Sequence, residues 1–399
     1  MREADVVVIG AGQAGITAGH HLLRHGFAPA EQAPVRRASQ EQGVPRTLIM
    51  LDAEDGPGGA WRHRWDSLTL GTVNGITELP DQVLDIVDPE APAALAVPAY
   101  FAAFERRRDL PIERPVEVVS VQEEHPGAGP EGALVLRSRR GGSGPGAGEE
   151  LAPIRARAII NATGTWRRPF VPHLPGAATF AGRQLRTVDY PGAQDLVGAR
   201  VAVVGGGISA TGFLAEISAA AAAVGAAQPR WYTRREPDFR EGPFTPEVQG
   251  RAAVAAVEER VRQGLPPRSV VSVTGLPWTP ALRAAQSRGA LRRRPMFSRI
   301  VPEGVIEADG TLVPTDVILW ATGFRADLGH LAPLRLRGAG GGIRMEGTQV
   351  AGEPRVHLVG YGPSSSTIGA NRAGRAAAAA LARRLEDAPG HIGPRLSMR

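Results

Sequence analysis

Two glycine-rich turns, far apart in the 399-residue chain, have the residue types and spacing that hold a phosphate. Each follows an apolar run, at residues 6–9 and 201–204, and each precedes a helix-like stretch. In such a turn the first glycine allows a tight bend, the second lets a pyrophosphate approach the backbone, and the third small residue lets helix and strand pack closely. The sequence therefore predicts two dinucleotide sites. The candidate cofactor-binding residues are Gly10, Gly12, Gln13, Ala14 and Gly15 in the first turn and Gly205, Gly207, Ile208, Ser209 and Ala210 in the second.

The first turn has a candidate ribose ligand in Asp52, which ends the apolar run at residues 48–51. An acidic residue normally follows such a turn by about 20 residues, and here the gap is longer. Residues 28–46 are rich in Pro, Gly and Ala and are interpreted as a surface insertion, which accounts for the excess length. Gly59 and Trp61 lie in the loop that follows, where missing side chains would let a flavin or its phosphates lie against the backbone. The alternative for Trp61 is core packing. We predict an FAD site.

The second turn has basic residues where the first has a carboxylate. Residues 230–233 form a strand-like run that ends in Arg234 and Arg235. An arginine can bind the 2′-phosphate of NADPH in bidentate fashion, whereas a carboxylate would repel it. The sequence predicts NADPH in preference to NADH.

Two Ala-Thr-Gly turns follow apolar runs downstream of the glycine turns. They are Ala162-Thr163-Gly164 and Ala321-Thr322-Gly323, and small residues at a strand end let the backbone approach a ligand. We place the domain crossings just after them. The predicted fold is α/β, with two Rossmann-like dinucleotide-binding domains and the NADPH domain inserted into the FAD domain. The FAD domain takes residues 1–172 and 323–399, and the NADPH domain takes 173–322, including a helical covering segment at about 240–295. Residues 126–151 are interpreted as a second insertion.

Near the C-terminus, a strand-like run ends at Gly360, and a long helix begins around Thr367 and Ile368. The positive end of that helix could face flavin N1 and O2 and stabilise the anion formed on reduction. An ordinary helix N-cap is the alternative.

Composition excludes several classes of function. With no cysteine among its residues, the chain has no disulfide, cysteine-metal site or thiol redox pair, so electron transfer requires a bound organic cofactor. The histidines show no metal-ligand spacing, and we expect no metal. All basic residues are arginines, and their scattered runs lack interleaved aromatics, so no nucleic-acid partner is expected. Without a signal peptide or an apolar run of membrane-spanning length, the sequence predicts a cytoplasmic protein that binds no membrane.

These residues together resemble the class B flavin-dependent monooxygenases, which include flavin-containing, N-hydroxylating and Baeyer-Villiger monooxygenases and the relatives of the plant auxin-forming enzymes. The loop at residues 58–61, the stretch at 64–68 and the order of the paired turns carry the resemblance over nearly the whole chain. The family fingerprint is met by Phe180, Gly182 and Tyr190, but Arg186 stands where the family has histidine. Tyr190 favours the flavin-containing type. Gly71 stands where many members have an asparagine beside the flavin, and Asn74 is out of register.

The resemblance implies a cycle in which NADPH reduces FAD, O2 forms a C4a-peroxyflavin, and a small organic substrate is oxygenated at nitrogen, sulfur or a carbon next to a carbonyl. Its catalytic candidates are Arg186, Tyr190 and His63, although a structural role is the alternative for His63. Because of Arg186 and Gly71, an NADPH-dependent flavin oxidase or dehydrogenase without oxygen insertion is the second hypothesis. A non-catalytic flavin-bound redox sensor is the third. A homodimer is left open.

Overall fold

A computed structural model describes residues 1–32, 45–73, 75–144, 146–241, 251–267 and 275–387. The helices of eight residues or more in this part of the chain are α1 (Gln13–Arg24), α2 (Ala93–Arg107), α3 (Ile208–Ala223), α4 (Arg251–Arg262), α5 (Pro280–Ser287) and α6 (Thr367–Asp387).

The strands up to the second glycine turn are β1 (Arg2–Ile9), β2 (Ala28–Pro29), β3 (Thr47–Leu51), β4 (Ile112–Glu113), β5 (Val116–Glu123), β6 (Leu134–Arg140), β7 (Ile154–Asn161), β8 (Arg183–Arg186) and β9 (Val201–Val204). The later strands are β10 (Arg230–Thr233), β11 (Phe239–Arg240), β12 (Leu276–Pro277), β13 (Arg293–Pro295), β14 (Arg299–Val301), β15 (Gly304–Ile306), β16 (Leu312–Pro314), β17 (Val317–Trp320), β18 (Met345–Glu346), β19 (Gln349–Val350) and β20 (Glu353–Leu358).

The first sheet has the strand order β18-β19-β20-β7-β1-β3-β2, with β4 beside β3, and β6 between β7 and β5. Its central strands are parallel: Val8 on β1 is in register with Met50 on β3 and with Ile160 on β7. Both faces are covered, as the continuous β-branched runs predict. Helices α1 and α6 pack on one face, where a Cβ on Gly374 would lie 2.9 Å from backbone atoms of Ala14 and Ala18. The carboxyl ends of these parallel strands therefore share one edge.

The second sheet has the order β13-β10-β9-β17-β8 and is parallel throughout. All its strands come from residues 183–320, and the first sheet takes its strands from before and after that range. Helix α3 packs on one face, and an antiparallel ladder of β14, β15 and β16 closes the other. The predicted α/β class with two Rossmann-like halves, each with parallel central strands, is confirmed.

Two interpretations of the sequence need correction. Residues 126–151 are not only an insertion, because they contain β6, which pairs with both β5 and β7. Its alternating buried Leu134, Leu136 and Ser138 lie in a stretch dominated by Gly and Pro, which conceals the strand pattern. At the start of the first supposed insertion, Ala28 is buried and pairs with β3, while residues 33–44 lie outside the described part.

Residues 240–295 contain α4 and α5, but also β12 and β13, so this segment is only partly helical. Residues 242–250 and 268–274 within it lie outside the described part. Its role as a cover over a cleft stays a prediction. No helix in the described residues is long and apolar enough to cross a membrane.

The two segments that leave the Ala-Thr-Gly turns run side by side; we call residues 162–170 and 321–327 the crossing segments. The Phe170 amide donates to the Gly323 carbonyl at 2.8 Å, and Trp166 stacks on Phe324 with centroids 5.2 Å apart. Arg168 pairs with Asp327 at 2.8 Å. The domain boundaries at 172/173 and 322/323 stay predictions, but the chain passes between the sheets through these paired segments.

Candidate active site

The first glycine turn leaves an open cradle at the carboxyl edge of the first sheet. Gly10 has a φ of 95°, and a Cβ there would lie 2.7 Å from the Ala162 carbonyl oxygen. A Cβ on Gly15 would overlap the Gly10 carbonyl oxygen. At Gly12, which begins helix α1, a Cβ would meet no described atom within 4 Å. The space beside Gly12 and the helix N-terminus therefore suits a pyrophosphate, whereas Gly10 and Gly15 are needed for packing.

The predicted flavin loop lies against this cradle. Gly58 and Gly59 have φ values of 117° and 51°, a backbone that side chains disfavour. A Cβ on Gly59 would lie 3.0 Å from the Gly12 Cα, so the loop approaches the turn closely. Trp61 is half-buried and packs against the apolar cluster beneath α2, as its alternative interpretation proposed.

Asp52 follows β3 at the same edge, because the Gly10 amide donates to the Leu51 carbonyl at 2.7 Å. Its side chain is buried, and Oδ2 accepts a 2.8 Å hydrogen bond from Arg114 Nε. Arg114 in turn binds both carboxylate oxygens of Glu105. Arg114 and Glu105 were not predicted from the sequence, since nothing in their local pattern relates them to Asp52.

Beside the cradle, hydrogen bonds and packing connect Gln13 and Ala14 to the start of α6. Gln13 Nε2 donates to the Thr77 carbonyl at 2.9 Å and to Asn371 Oδ1 at 3.2 Å. The hydroxyls of Thr77 and Thr367 are 3.0 Å apart. Ala14 is buried between α1 and α6. Asn371 and Thr77 were missed, because they are distant from Gln13 in sequence: Asn371 reaches it through the packing of α6 on α1, and Thr77 reaches it from the irregular segment that precedes Leu79.

The N-terminus of α6 is capped as the alternative interpretation proposed: Ser366 Oγ accepts a hydrogen bond from the Gly369 amide at 3.1 Å. Ile368 remains 44% exposed there. Gly360, with a φ of 70°, places its hypothetical Cβ 3.9 Å from the Gly164 Cα. Gly360 and the first Ala-Thr-Gly turn therefore meet at the strand ends that face the cradle.

The threonines of the two Ala-Thr-Gly turns hold the crossing segments. Thr163 donates to the Asp327 carbonyl at 2.6 Å, and Thr322 donates to the Phe170 carbonyl. The glycines of both turns have positive φ, 66° at Gly164 and 86° at Gly323. Ala321 lies directly over Gly205, where a Cβ would overlap the Ala321 carbonyl oxygen. The alanines and glycines thus give close backbone approach, and the threonines hold the crossing segments in place.

The second glycine turn repeats the geometry of the first. Gly205 has a φ of 144°, and its carbonyl accepts a 2.6 Å hydrogen bond from Trp231 Nε1. Gly207 begins α3, and a Cβ there would meet no described atom within 4 Å. Ile208 and Ser209 are half-buried in the first turn of the helix, whereas Ala210 is fully buried.

Arg234 and Arg235 are exposed directly after β10. A Cβ on Gly206 would lie 3.7 Å from Thr233 Cγ2, so this strand end borders the turn. Arg293 on the neighbouring β13 donates through Nε to Thr233 Oγ1 at 2.9 Å. It was missed because its arginine run was interpreted as a solvated face. Arg234 and Arg235 thus follow the strand end predicted to bind a 2′-phosphate, and Arg293 lies beside it, where it also pairs with Glu236 at 3.1 Å.

A cleft of about 930 Å³ brings His63 and Arg186 together, along with Arg62, Trp166 and Arg167. His63 Nε2 lies 2.7 Å from Glu54 Oε2. Arg186 donates to Asp189 at 2.6 and 2.8 Å, and this carboxylate raises the pKa of the guanidinium above its usual value. Both predicted catalytic side chains thus have carboxylate partners. Their catalytic roles stay predictions.

Tyr190 lies in the core on the α3 side of the second sheet. Its hydroxyl donates to Glu216 Oε2 at 3.1 Å, and Ser67, from the segment after the flavin loop, donates to the same oxygen at 2.7 Å. Burial and the neighbouring carboxylate raise the pKa of Tyr190 far above its ordinary value. The ring packs on Phe213 at a tilt of 33° and meets Trp65 edge-on. Tyr190 therefore connects the flavin-loop segment to the second sheet.

Arg64, which begins the stretch at 64–68 and was given no role of its own from the sequence, has its guanidinium among three indole rings. It lies 4.1 Å from the Trp166 centroid, 5.5 Å from that of Trp61 and 6.0 Å from that of Trp65. Its Nε is buried and has no hydrogen-bond partner in the described chain, and burial lowers its pKa to about 10. The contact joins the flavin loop to a crossing segment through cation–π attraction.

Two glycine cradles, each at the carboxyl ends of parallel strands in sheets joined by paired crossing segments, are the features of a flavoprotein oxidoreductase with two dinucleotide sites. A flavin-containing monooxygenase from Stenotrophomonas maltophilia has a solved structure to which the chain is 33% identical; the match covers 96% of this chain and 100% of that one, with a TM-score of 0.73. The chain belongs to the flavin-containing monooxygenases, within the class B flavin-dependent enzymes. It is an enzyme, a flavin-dependent oxidoreductase, and relatives of this class use FAD and NADPH.

Curated relatives match over shorter lengths. The uncharacterized oxidoreductase CzcO of Bacillus velezensis is 27% identical over 54% of this chain and 52% of its own length. The indole-3-pyruvate monooxygenase YUCCA1 of Oryza sativa subsp. japonica is 30% identical over 51% of this chain and 42% of its own length. These two matches span about half the length of the relative, or less. No family model matches it.

Proposed function

We propose that the chain is an NADPH-dependent FAD monooxygenase that oxygenates a small organic molecule at nitrogen, sulfur or a carbon next to a carbonyl. The observation that carries the proposal is the open cradle at Gly12, against which Gly59 of the flavin loop lies. A nucleotide pyrophosphate in that cradle would run from the ribose ligand Asp52 toward the flavin loop. When bound, FAD supplies the redox chemistry: it accepts hydride from NADPH and activates O2.

The residues proposed to hold FAD are the amides of the first turn, Asp52 for the ribose, and the backbone at Gly59, Gly164 and Gly360. Thr367 and Ile368 stand at the N-terminus of α6, whose positive end favours an anion. Gln13 supports this arrangement indirectly through Thr77 and Asn371.

NADPH is proposed to bind at the second turn, with its pyrophosphate against Gly207 and its 2′-phosphate among Arg234, Arg235 and Arg293. Guanidinium groups match phosphate oxygens in bidentate geometry. The cleft that contains His63 and Arg186 is the proposed entrance for the substrate. It is lined by charged groups of both signs together with apolar Leu95 and Pro98, which fits a small amphipathic molecule.

A second candidate function, an NADPH-dependent flavin oxidase without oxygen insertion, is favoured by one observation. Arg186 replaces the histidine of the family fingerprint, and its guanidinium is held by Asp189 at the cleft. The family resemblance ties the fingerprint to movement of the cofactor domain, and an arginine held in this way would change the coupling between that movement and oxygenation.

One experiment separates the two candidates. The protein is reduced anaerobically with NADPH, O2 is admitted with an amine, a sulfide or a ketone present, and flavin absorbance, peroxide and oxygenated product are followed. A monooxygenase gives slow reoxidation, little peroxide and product from one substrate class. Immediate reoxidation with one peroxide per flavin and no product overturns the first candidate and supports the second. A flavin that NADPH does not reduce overturns both.

The cytoplasmic location, the homodimer and the absence of a nucleic-acid partner stay predictions. They do not affect the chemistry proposed for the cleft.

A further inference from the structure

Three buried charged side chains meet where β3 ends. Arg114 Nε donates to Asp52 Oδ2 at 2.8 Å, and the two Nη atoms of Arg114 donate to Glu105 at 2.7 and 2.8 Å. The side chains of Asp52, Glu105 and Arg114 are only 7%, 10% and 13% exposed. The triad therefore lies at the cofactor edge of the sheet and is almost closed to solvent.

The backbone fixes Arg114 beside Asp52. The Asp52 amide donates to the Glu113 carbonyl at 3.0 Å, and the Val116 amide donates to the Asp52 carbonyl at 2.7 Å. These two bonds lie on either side of Arg114 in the chain. Glu105, on helix α2, accepts hydrogen bonds from both Nη atoms of the Arg114 guanidinium. The Nε of Arg114 therefore faces Asp52.

Burying this triad costs free energy, and the stability that its ion pairs contribute does not account for that cost. Removing three charges from water is expensive, and buried ion pairs often contribute no more stability than well-packed apolar side chains of similar volume. Two carboxylates for one guanidinium also leave a net negative charge. What the triad does provide is a fixed direction for the Asp52 carboxylate, in which Oδ2 is held and Oδ1 can accept a hydroxyl.

We propose that Arg114, held in place by Glu105, is a positioning residue that orients the Asp52 carboxylate toward the adenosine ribose of FAD. This inference rests on the proposed function, because it takes the first turn as the FAD site. Arg114 acts through Asp52, and its effect is felt by the ribose hydroxyls.

The test compares FAD with its 2′-deoxyadenosine analogue, which can be made from FMN and dATP. Dissociation constants are measured by flavin fluorescence on the full-length chain, reconstituted after removal of its flavin. Wild-type protein is expected to favour FAD over the analogue about tenfold or more, since a hydroxyl bonded to a carboxylate is a charge-assisted hydrogen bond. Arg114→Met should weaken FAD binding about tenfold and bring the ratio of the two constants close to one.

Because Arg114→Met leaves two buried carboxylates without a partner, the double variant Arg114→Met with Glu105→Gln is measured beside it. Arg114→Lys keeps the positive charge but cannot bind both oxygens of Glu105 in the planar geometry of a guanidinium. Its preference for FAD over the analogue should therefore lie between those of wild type and Arg114→Met. The matched control is Arg155→Met. Arg155 binds Glu124 through two bonds of 2.8 and 2.9 Å at the opposite end of β7, and its loss should leave the ratio unchanged.

In an Asp52→Asn background, removing Arg114 should have no further effect on the ratio. If Arg114→Met weakens both ligands equally, or the double variant keeps the wild-type ratio, the positioning role is overturned while the FAD site stands. A wild-type protein that binds neither flavin overturns the proposed function instead. A wild type that binds both equally refutes the ribose role of Asp52.

Discussion

At the scale of single residues, Gly12 and Gly15 belong to one motif but are glycines for different reasons. A Cβ on Gly15 would overlap the Gly10 carbonyl oxygen, whereas a Cβ on Gly12 would meet no described atom within 4 Å. The backbone at Gly12, with a φ of −72°, is one that alanine adopts freely. Gly15 is therefore required by the fold and Gly12 by the ligand.

We expect Gly15→Ala to lower the free energy of unfolding by about 3 kcal/mol, the cost of a forced overlap in a packed turn. Gly12→Ala should leave the unfolding of the flavin-free protein unchanged and reduce its FAD content. Denaturant unfolding of the flavin-free proteins and the ratio of flavin to protein absorbance measure the two effects. Equal destabilisation by both substitutions would contradict the distinction.

The arginines after β10 carry a second prediction at this scale. Arg234→Ala should raise the KM for NADPH about tenfold and leave the KM for NADH nearly unchanged, because only NADPH has the 2′-phosphate. Arg293→Ala should do the same more weakly, since Arg293 also holds Thr233. The exposed Arg299 on β14 is the matched control. A parallel rise in both constants for Arg234→Ala would show that the arginine does not bind the phosphate.

At the scale of elements, the runs of Val and Ile predicted the central strands, because strands buried on both faces require continuous apolar sequence. The glycine patterns likewise located the turns that β1 and β9 lead into. Asn371, Thr77, Arg114 and Arg293 could not be found in this way, since each reaches the site from another element through tertiary packing. Strand β6 was missed because Gly and Pro surround a short alternating pattern.

The end of β7 is joined to residues 329–334 by a buried pair, in which His330 Nε2 lies 2.7 Å from Asn161 Oδ1. Burial lowers the pKa of His330 to about 4, below the ordinary value of 6.5. The unfolded chain therefore binds a proton between pH 6.5 and 4 that the folded chain does not, and stability falls as the pH is lowered through this window.

We expect His330→Gln, which keeps a donor for Asn161, to remove about 3 kcal/mol of the acid-induced loss in unfolding free energy between pH 6.5 and 4. The measurement is urea unfolding at several pH values. His173→Gln, at an exposed position, should leave the slope of unfolding free energy against pH as it is in wild type. An unchanged slope in the His330 variant would place the acid sensitivity elsewhere, for example at buried His357, whose pKa is also lowered to about 4.

At the scale of the whole molecule, the proposed chemistry requires the proposed nicotinamide site on one sheet to deliver hydride to the proposed flavin site on the other. The crossing segments connect the sheets covalently, and the stretch after the flavin loop connects them through side chains. Trp65 meets Tyr190 and Phe213, and both Ser67 and Tyr190 donate to Glu216. This second connection is the one that hydride transfer between the bound cofactors would depend on.

Tyr190→Phe removes one hydroxyl from this connection and changes no residue of either cradle. We expect flavin reduction by NADPH to slow about fivefold, in line with about 1 kcal/mol for a buried hydrogen bond, while the KM for NADPH stays within about twofold of wild type. Stopped-flow reduction at saturating NADPH separates the rate from the affinity. Tyr232→Phe is the matched control, because its hydroxyl bonds to Glu307 at 2.9 Å within the second half of the molecule alone. If both variants slow reduction equally, the loss reflects the stability of the second sheet, and the fingerprint tyrosine does not couple the two sites.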